Sequence, residues 1–144
     1  MPSQLFLSIL FMLQFHHIIG SNRYNVEWYL EKIIQNHQVV LFSKTHCSYS
    51  ARLKYLIQKY NIRDKRVIEL NLEPDMELMQ DYLKRRNGGI RTVPQLYLNG
   101  KFIGNFDIIQ RKERSGELAR IFAQAGITPR KSLLALRKRK CSFN

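Results

Sequence analysis

An apolar run, Val39-Val40-Leu41-Phe42, ends at Ser43-Lys44-Thr45-His46, and beyond Cys47 the apolar residues change their period. Leu53, Leu56, Ile57 and Tyr60 recur at i, i+3, i+4 and i+7, which is one face of a helix. A short continuous apolar run bounded by polar residues reads instead as a buried strand. The segment is therefore a strand feeding a helix, from about Ser48 to Tyr60, with Cys47 at the junction. Val67-Ile68-Glu69-Leu70-Asn71 supplies the next strand. Two strands joined through a helix are expected to be parallel, with a right-handed crossover.

The flanking patterns complete one domain. Val26, Leu30, Ile33 and Ile34 predict a helix from about Asn25 to Gln35, and Pro74 opens a third helix that runs to about Arg86, before Gly88-Gly89. Gln95–Leu98 and Lys101–Ile103 flank Asn99-Gly100, a pair suited to a type I′ hairpin turn. Leu118, Ile121, Phe122 and Ala125 mark a last helix, with Ser115 as its cap and Gly126 as its stop. The expected order is helix–strand–helix–strand–helix–strand–strand–helix. That is an α/β fold, a small four-stranded mixed sheet flanked by helices.

Three segments are expected: 1–21, 22–128 and 129–144. In the first, Leu5–Leu13 is an apolar run of signal-peptide length, followed by Gly20-Ser21 as a cleavage zone, although no Lys or Arg precedes it. Residues 1–21 thus read as a signal peptide, as an uncleaved membrane anchor or as a hydrophobic extension. The first reading implies a secreted or endomembrane-lumen protein, and the alternative is cytoplasmic. The last segment is basic. From Pro129 onward there are six Lys or Arg and no Asp or Glu, in a chain of formal net charge +13. Such a tail reads as solvated or as a membrane-surface contact. No aromatic platform is interleaved with the charges, so nucleic-acid binding is not expected. Two cysteines are too few for a disulfide scaffold, and the four His and two Cys lack zinc-ligand spacing, so no metal site is assigned.

Cys47 carries the chemistry. At a helix start, unpaired backbone N–H groups and the helix dipole favour a negative charge, which lowers a thiol pKa. The thiolate is the species that attacks a disulfide. Lys44 adds a positive charge nearby.

These residues resemble the glutaredoxin family. Phe42 to Ser50 is similar to its active-site segment. Thr92-Val93-Pro94 and Gly104-Asn105-Phe106-Asp107 resemble its second and third signatures, and Gln80-Asp81-Tyr82-Leu83 resembles part of its third helix. The agreement runs from about Asn25 to Ile127. It implies a thioredoxin fold and a glutathione-dependent oxidoreductase that reduces protein–glutathione mixed disulfides. Glutathione is then a co-substrate and glutathionylated proteins are the partners of a monomeric enzyme. Cys47 is the implied nucleophile and Tyr49 flanks its sulfur. Lys44 and Gln80 meet the glycine carboxylate of glutathione, and the Val93 backbone pairs with its cysteine part. Pro94 is cis, facing Cys47. Phe106, through its backbone, and Asp107 hold the γ-glutamyl end. Taken alone, Lys44 also reads as a surface charge, Tyr49 as packing, Gln80 as a solvated residue and Asp107 as a helix cap.

The chain departs from the family pattern at Ser50, where a second motif cysteine would stand, so a one-cysteine mechanism is expected. The family also contains iron–sulfur carriers with Ser there, but these have Gly-Phe after the cysteine and a longer segment after the lysine. This chain has Ser48-Tyr49, and two residues between Lys44 and Cys47. A glutathione-ligated iron–sulfur protein and a non-catalytic adaptor are the alternatives. Asn105 stands at a glycine position and Phe106 is bulky, which bears on the γ-glutamyl pocket. Arg91 and His46 are further candidates, the first for a carboxylate and the second for the thiolate. Cys141 reads as a tail thiol or a distant resolving cysteine.

Overall fold

The computed structural model describes residues 25–130, together with Ser8 and Ile9. Apart from Ser8 and Ile9, the apolar leader lies outside the described residues, as do the segment from 131 onward and Cys141. Helix α1 covers residues 25–36. It is followed by β1 (Val39–Ser43), α2 (Ser48–Ile57), β2 (Lys65–Glu69), a 3-10 turn (Leu70–Leu72) and α3 (Met76–Arg86). The chain continues with β3 (Gln95–Leu98), β4 (Lys101–Asn105), α4 (Phe106–Arg114) and α5 (Glu117–Gln124). The sheet order is β2-β1-β3-β4. β1 is parallel to β2, as a helical crossover requires, and β3 is antiparallel to both β1 and β4.

All five residues of β1 are buried, because helices cover both faces of this strand. Alternation assigns the faces. Val39 and Leu41 meet Leu96 and Leu98 under Leu53, Ile57, Ile109, Leu118 and Phe122, from α2, α4 and α5. Val40, Phe42 and Tyr97 point the other way, against Leu30, Ile34, Met79 and Leu83 of α1 and α3. α1 and α3 are also joined at their surface by Arg85–Glu27 and Arg86–Glu31 ion pairs. In the first layer Phe122 lies edge-on to Tyr60, with ring centroids 4.7 Å apart. Truncating a fully buried phenylalanine removes its apolar burial and leaves a cavity. Phe122→Ala is expected to lower unfolding free energy by about 3–5 kcal/mol, read from a denaturant midpoint.

Three local expectations change. Between β4 and the last helix the chain forms α4, an additional helix. β2 begins at Lys65, two residues before the apolar stretch. Ser115 is the C-cap of α4, and Gly116, at φ 77°, takes the N-cap place of α5; the Ser115 hydroxyl donates to Lys112 O (3.1 Å) and accepts from Glu117 N (3.4 Å). The Asn99-Gly100 turn does take positive φ at both residues, 47° and 78°. Pro129 and Arg130 remain tied to the end of α2: Tyr60 bridges Pro129, and Arg130 N donates to Lys59 O at 2.7 Å. Among the described residues, no helix is long and apolar enough to cross a membrane.

Candidate active site

Cys47 is the N-cap residue of α2, with extended backbone (φ −92°, ψ 116°), and its carbonyl accepts the first helical bond from Ala51 N at 3.1 Å. β1 stops at Ser43, so the side chain emerges past the C-terminal end of the central strand. The thiol is half-buried. Its S–H faces Val93 O at 3.9 Å across a narrow gap. The Val93–Pro94 peptide is cis.

Burial pushes the Cys47 thiol up, but four groups outweigh it. The Ser50 hydroxyl, the backbone N–H groups of Ser50 and Tyr49, and the Lys44 charge hold the thiol below its ordinary value. Each is stronger toward a thiolate than toward a thiol, so the shift is in the direction hydrogen bonding to the charged form demands. Ser50 thus has a role that its residue type did not disclose. It is fully buried one helical turn into α2, and its oxygen also accepts from Lys44 N at 3.4 Å. Ser50→Ala is expected to move the midpoint of Cys47 alkylation against pH upward, with little loss of fold, since a single hydrogen bond to the charged form is removed. An unmoved midpoint contradicts this role.

Lys44, just past the end of β1, and Gln80 of α3 come together: Lys44 Nζ donates to Gln80 Oε1 at 3.2 Å. Gln80 is buried, not solvated, and its amide donates to Arg91 O at 3.2 Å. This fixes the lysine head at the mouth of the site. Arg91 is engaged elsewhere, with its guanidinium on Asp81 (2.9 Å) and Glu77 of α3. Among the described residues, no hydrogen bond joins His46 to the Cys47 sulfur.

The other wall is a cleft of about 280 Å³ lined by Tyr49, Thr92, Val93, Pro94, Asn105, Phe106 and Asp107. Phe106 is buried and lies under the Tyr49 ring, with centroids 5.4 Å apart, so its bulk fills the floor and leaves the cleft open. Asn105 needs no positive φ. Its backbone is extended (φ −82°), and its Oδ1 accepts from Ile108 N at 3.1 Å to cap α4. The first N–H groups of a helix have no intrahelical partner. With Ile108 satisfied by the cap, the Phe106 and Asp107 N–H groups head a positive helix end at the cleft, suited to a carboxylate. Gly104, at φ 155°, takes the conformation that a side chain resists.

All eight site residues predicted from sequence therefore border one groove: Lys44 and Gln80 on one side of Cys47, Val93 and Pro94 opposite, and Tyr49, Phe106 and Asp107 beyond. Chemically the groove offers a thiol whose pKa is lowered, the Val93 backbone carbonyl facing it, and two positive sites. A larger hollow, about 690 Å³, lies at the other end of the sheet against Gln38, Arg63 and Arg130 and has no cysteine in its lining. Among the described residues, no group of three or more His, Cys, Asp or Glu is gathered to hold a metal.

The chain is similar in sequence and fold to known proteins. The Glutaredoxin family model matches residues 39–103. An uncharacterized monothiol glutaredoxin of Caenorhabditis elegans is 39% identical over 92 residues, 64% of this chain and 62% of that protein. Glutaredoxin-C2 of Arabidopsis thaliana is 34% identical over 96 residues, 67% of this chain and 85% of that one. The match thus spans under two thirds of the worm protein and most of the plant one. Among solved structures, a buckwheat glutaredoxin–glutathione complex superposes with a TM-score of 0.66 at 30% identity, over 74% of this chain and 94% of that chain. With its thioredoxin fold, this chain belongs to the glutaredoxin family.

Proposed function

We propose that this protein reduces protein–glutathione mixed disulfides with Cys47 alone, using glutathione as the reductant. The observation that carries this reading is the Cys47 thiol, held below its ordinary pKa at the start of α2 and facing Val93 O across an open groove. The solved glutathione complex of the buckwheat relative supports it.

In the first step the Cys47 thiolate attacks the glutathione sulfur of the mixed disulfide. The old S–S bond breaks, the substrate protein leaves as a thiolate that takes a proton from water, and Cys47 becomes glutathionylated. A second glutathione thiolate then attacks the glutathione sulfur on Cys47. This forms glutathione disulfide and returns the Cys47 thiolate. One free glutathione is consumed per turnover: the mixed disulfide and glutathione become the protein thiol and glutathione disulfide, one sulfur of which came with the substrate. Ser50 cannot close an internal disulfide with Cys47, so the second glutathione is required. Lys44, steadied by Gln80, takes the glycine carboxylate. The Val93 backbone pairs with the cysteine residue of glutathione beside cis-Pro94. The α4 N-terminus at Phe106 and Asp107 takes the γ-glutamyl end, whose amino group suits the Asp107 carboxylate.

The test is glutathione-coupled reduction of a glutathionylated protein by the full chain. Lys44→Ala is expected to raise KM for glutathione about five- to twelvefold with a smaller change in kcat, since a charged contact to the carboxylate is worth about 1–1.5 kcal/mol. Absence of turnover by the unaltered chain, with tight glutathione binding, favours the adaptor reading. A coloured protein after anaerobic purification favours the iron–sulfur reading.

A further inference from the structure

The outer face of α2 is not used by the groove. Ser48, Arg52, Tyr55 and Lys59 fall at i, i+4, i+7 and i+11 and are all exposed. Among the described residues Tyr55, at 72% relative exposure, is the most exposed of the large apolar side chains. Tyr49, 52% exposed, joins this face to the groove, and the Arg52 guanidinium lies 5.9 Å from its ring centroid. Ser48–Ile57 contains no Asp or Glu. Lys59 is paired with Glu113, and Lys54, at the edge of the face, with Glu69, whereas among the described residues Arg52 has no carboxylate partner. The acidic side chain nearest the groove is Asp107, on α4. Exposed Tyr and Arg side by side are the residue types that dominate binding energy at protein interfaces.

We infer that this face is the docking surface for the polypeptide part of the substrate, and that it selects glutathionylated segments carrying carboxylates close to the modified cysteine. The inference rests on the reaction proposed above and names its substrate class. Charge complementarity decides the occupant. A second copy of this chain, of formal net charge +13, is disfavoured on a cationic surface, whereas an acidic segment is attracted. Geometry sets the spacing. Helical rise places Arg52 about 7 Å and Tyr55 about 12 Å along the axis from Cys47. An extended peptide advances about 3.3 Å per residue, so the matching carboxylates lie about two to four residues from the modified cysteine.

The experiment uses the full chain and two glutathionylated decapeptides that differ only in having Glu or Gln at the second to fourth positions on either side of the cysteine. The acidic peptide is expected to show about fivefold higher kcat/KM at low salt, and the preference is expected to fade at high salt as exposed charges are screened. Arg52→Glu is expected to abolish that preference while leaving turnover of the glutathione–mercaptoethanol mixed disulfide within twofold. Tyr55→Ser is expected to lower kcat/KM for both peptides about threefold and again to spare the small disulfide. Equal kcat/KM for the two peptides with the unaltered chain overturns the inference. Failure to turn over any mixed disulfide, the small one included, overturns the proposed reaction instead. In that event, amide shifts on titration with a thiol-free acidic peptide decide the docking: perturbation at Arg52 and Tyr55 upholds it and their silence ends it.

Discussion

Cys47→Ser is expected to lower glutathione-dependent reduction of mixed disulfides by about a thousandfold or more, because no other described group can take the sulfur's part in disulfide exchange. A hydroxyl at this position has no accessible anion near neutral pH. The same substitution is expected to leave stability unchanged or slightly raised. Serine is among the preferred residues at a helix N-cap, and the Cys47 backbone already has the extended φ and ψ of a cap. Activity and stability thus part company, which separates lost chemistry from lost fold. Cys141→Ser is expected to retain most of the activity. Paired measurements of turnover and denaturant midpoint check both; substantial activity in the Cys47 variant removes the mechanism.

Gly104→Ala is expected to act the other way, through the fold first. Gly104 lies in β4 opposite Leu96, at φ 155°, and a Cβ built there sits 2.6 Å from Ile108 Cγ2 and 2.7 Å from its Cβ. The neighbour is the first turn of α4, so relief of the overlap requires moving the helix whose N-terminus forms one end of the groove. The backbone conformation and the overlap together are expected to cost about 3 kcal/mol of stability. Because Asn105, Phe106 and Asp107 follow directly, KM for glutathione is also expected to rise. A variant with unchanged midpoint and unchanged KM contradicts the role assigned to this close approach.

Much of this was legible in the residues because local period and burial agreed. The β1 run is apolar throughout, since both its faces are covered, and α2 changes period immediately after Cys47. The Asn99-Gly100 turn was legible for the same reason: its chemistry admits few conformations. α4 was not. Only Phe106 and Ile109 of its nine residues are buried, and six are charged or amide-bearing, so its apolar stripe is too short to register as a helix. What shows it is Asn105, whose cap hydrogen bond to Ile108 N, three residues on, was hidden behind a residue that resembled a replaced glycine. The same limit applied to polar partners. Gln80 and Arg91 both read as residues able to meet a carboxylate. Only the packing of α3 shows that Gln80 is buried and steadies Lys44, while Arg91 is held by Glu77 and Asp81. Ser50 read as the loss of a second cysteine. Its burial beneath Cys47 turns it into a donor for the thiolate.

The central claim, that Cys47 is a stabilised thiolate that exchanges with glutathione, is tested most directly by intact mass. The Cys141→Ser chain is incubated with glutathione disulfide over a range of pH, then with reduced glutathione. The expected result is one glutathione per chain on Cys47. Its formation should rise with pH to a plateau reached below the range of an ordinary thiol, because the folded site lowers that pKa and the reactive thiolate is fully formed above it. Reduced glutathione should then remove the adduct completely. No adduct at any pH, or one that forms only in the range of an ordinary thiol, contradicts the claim.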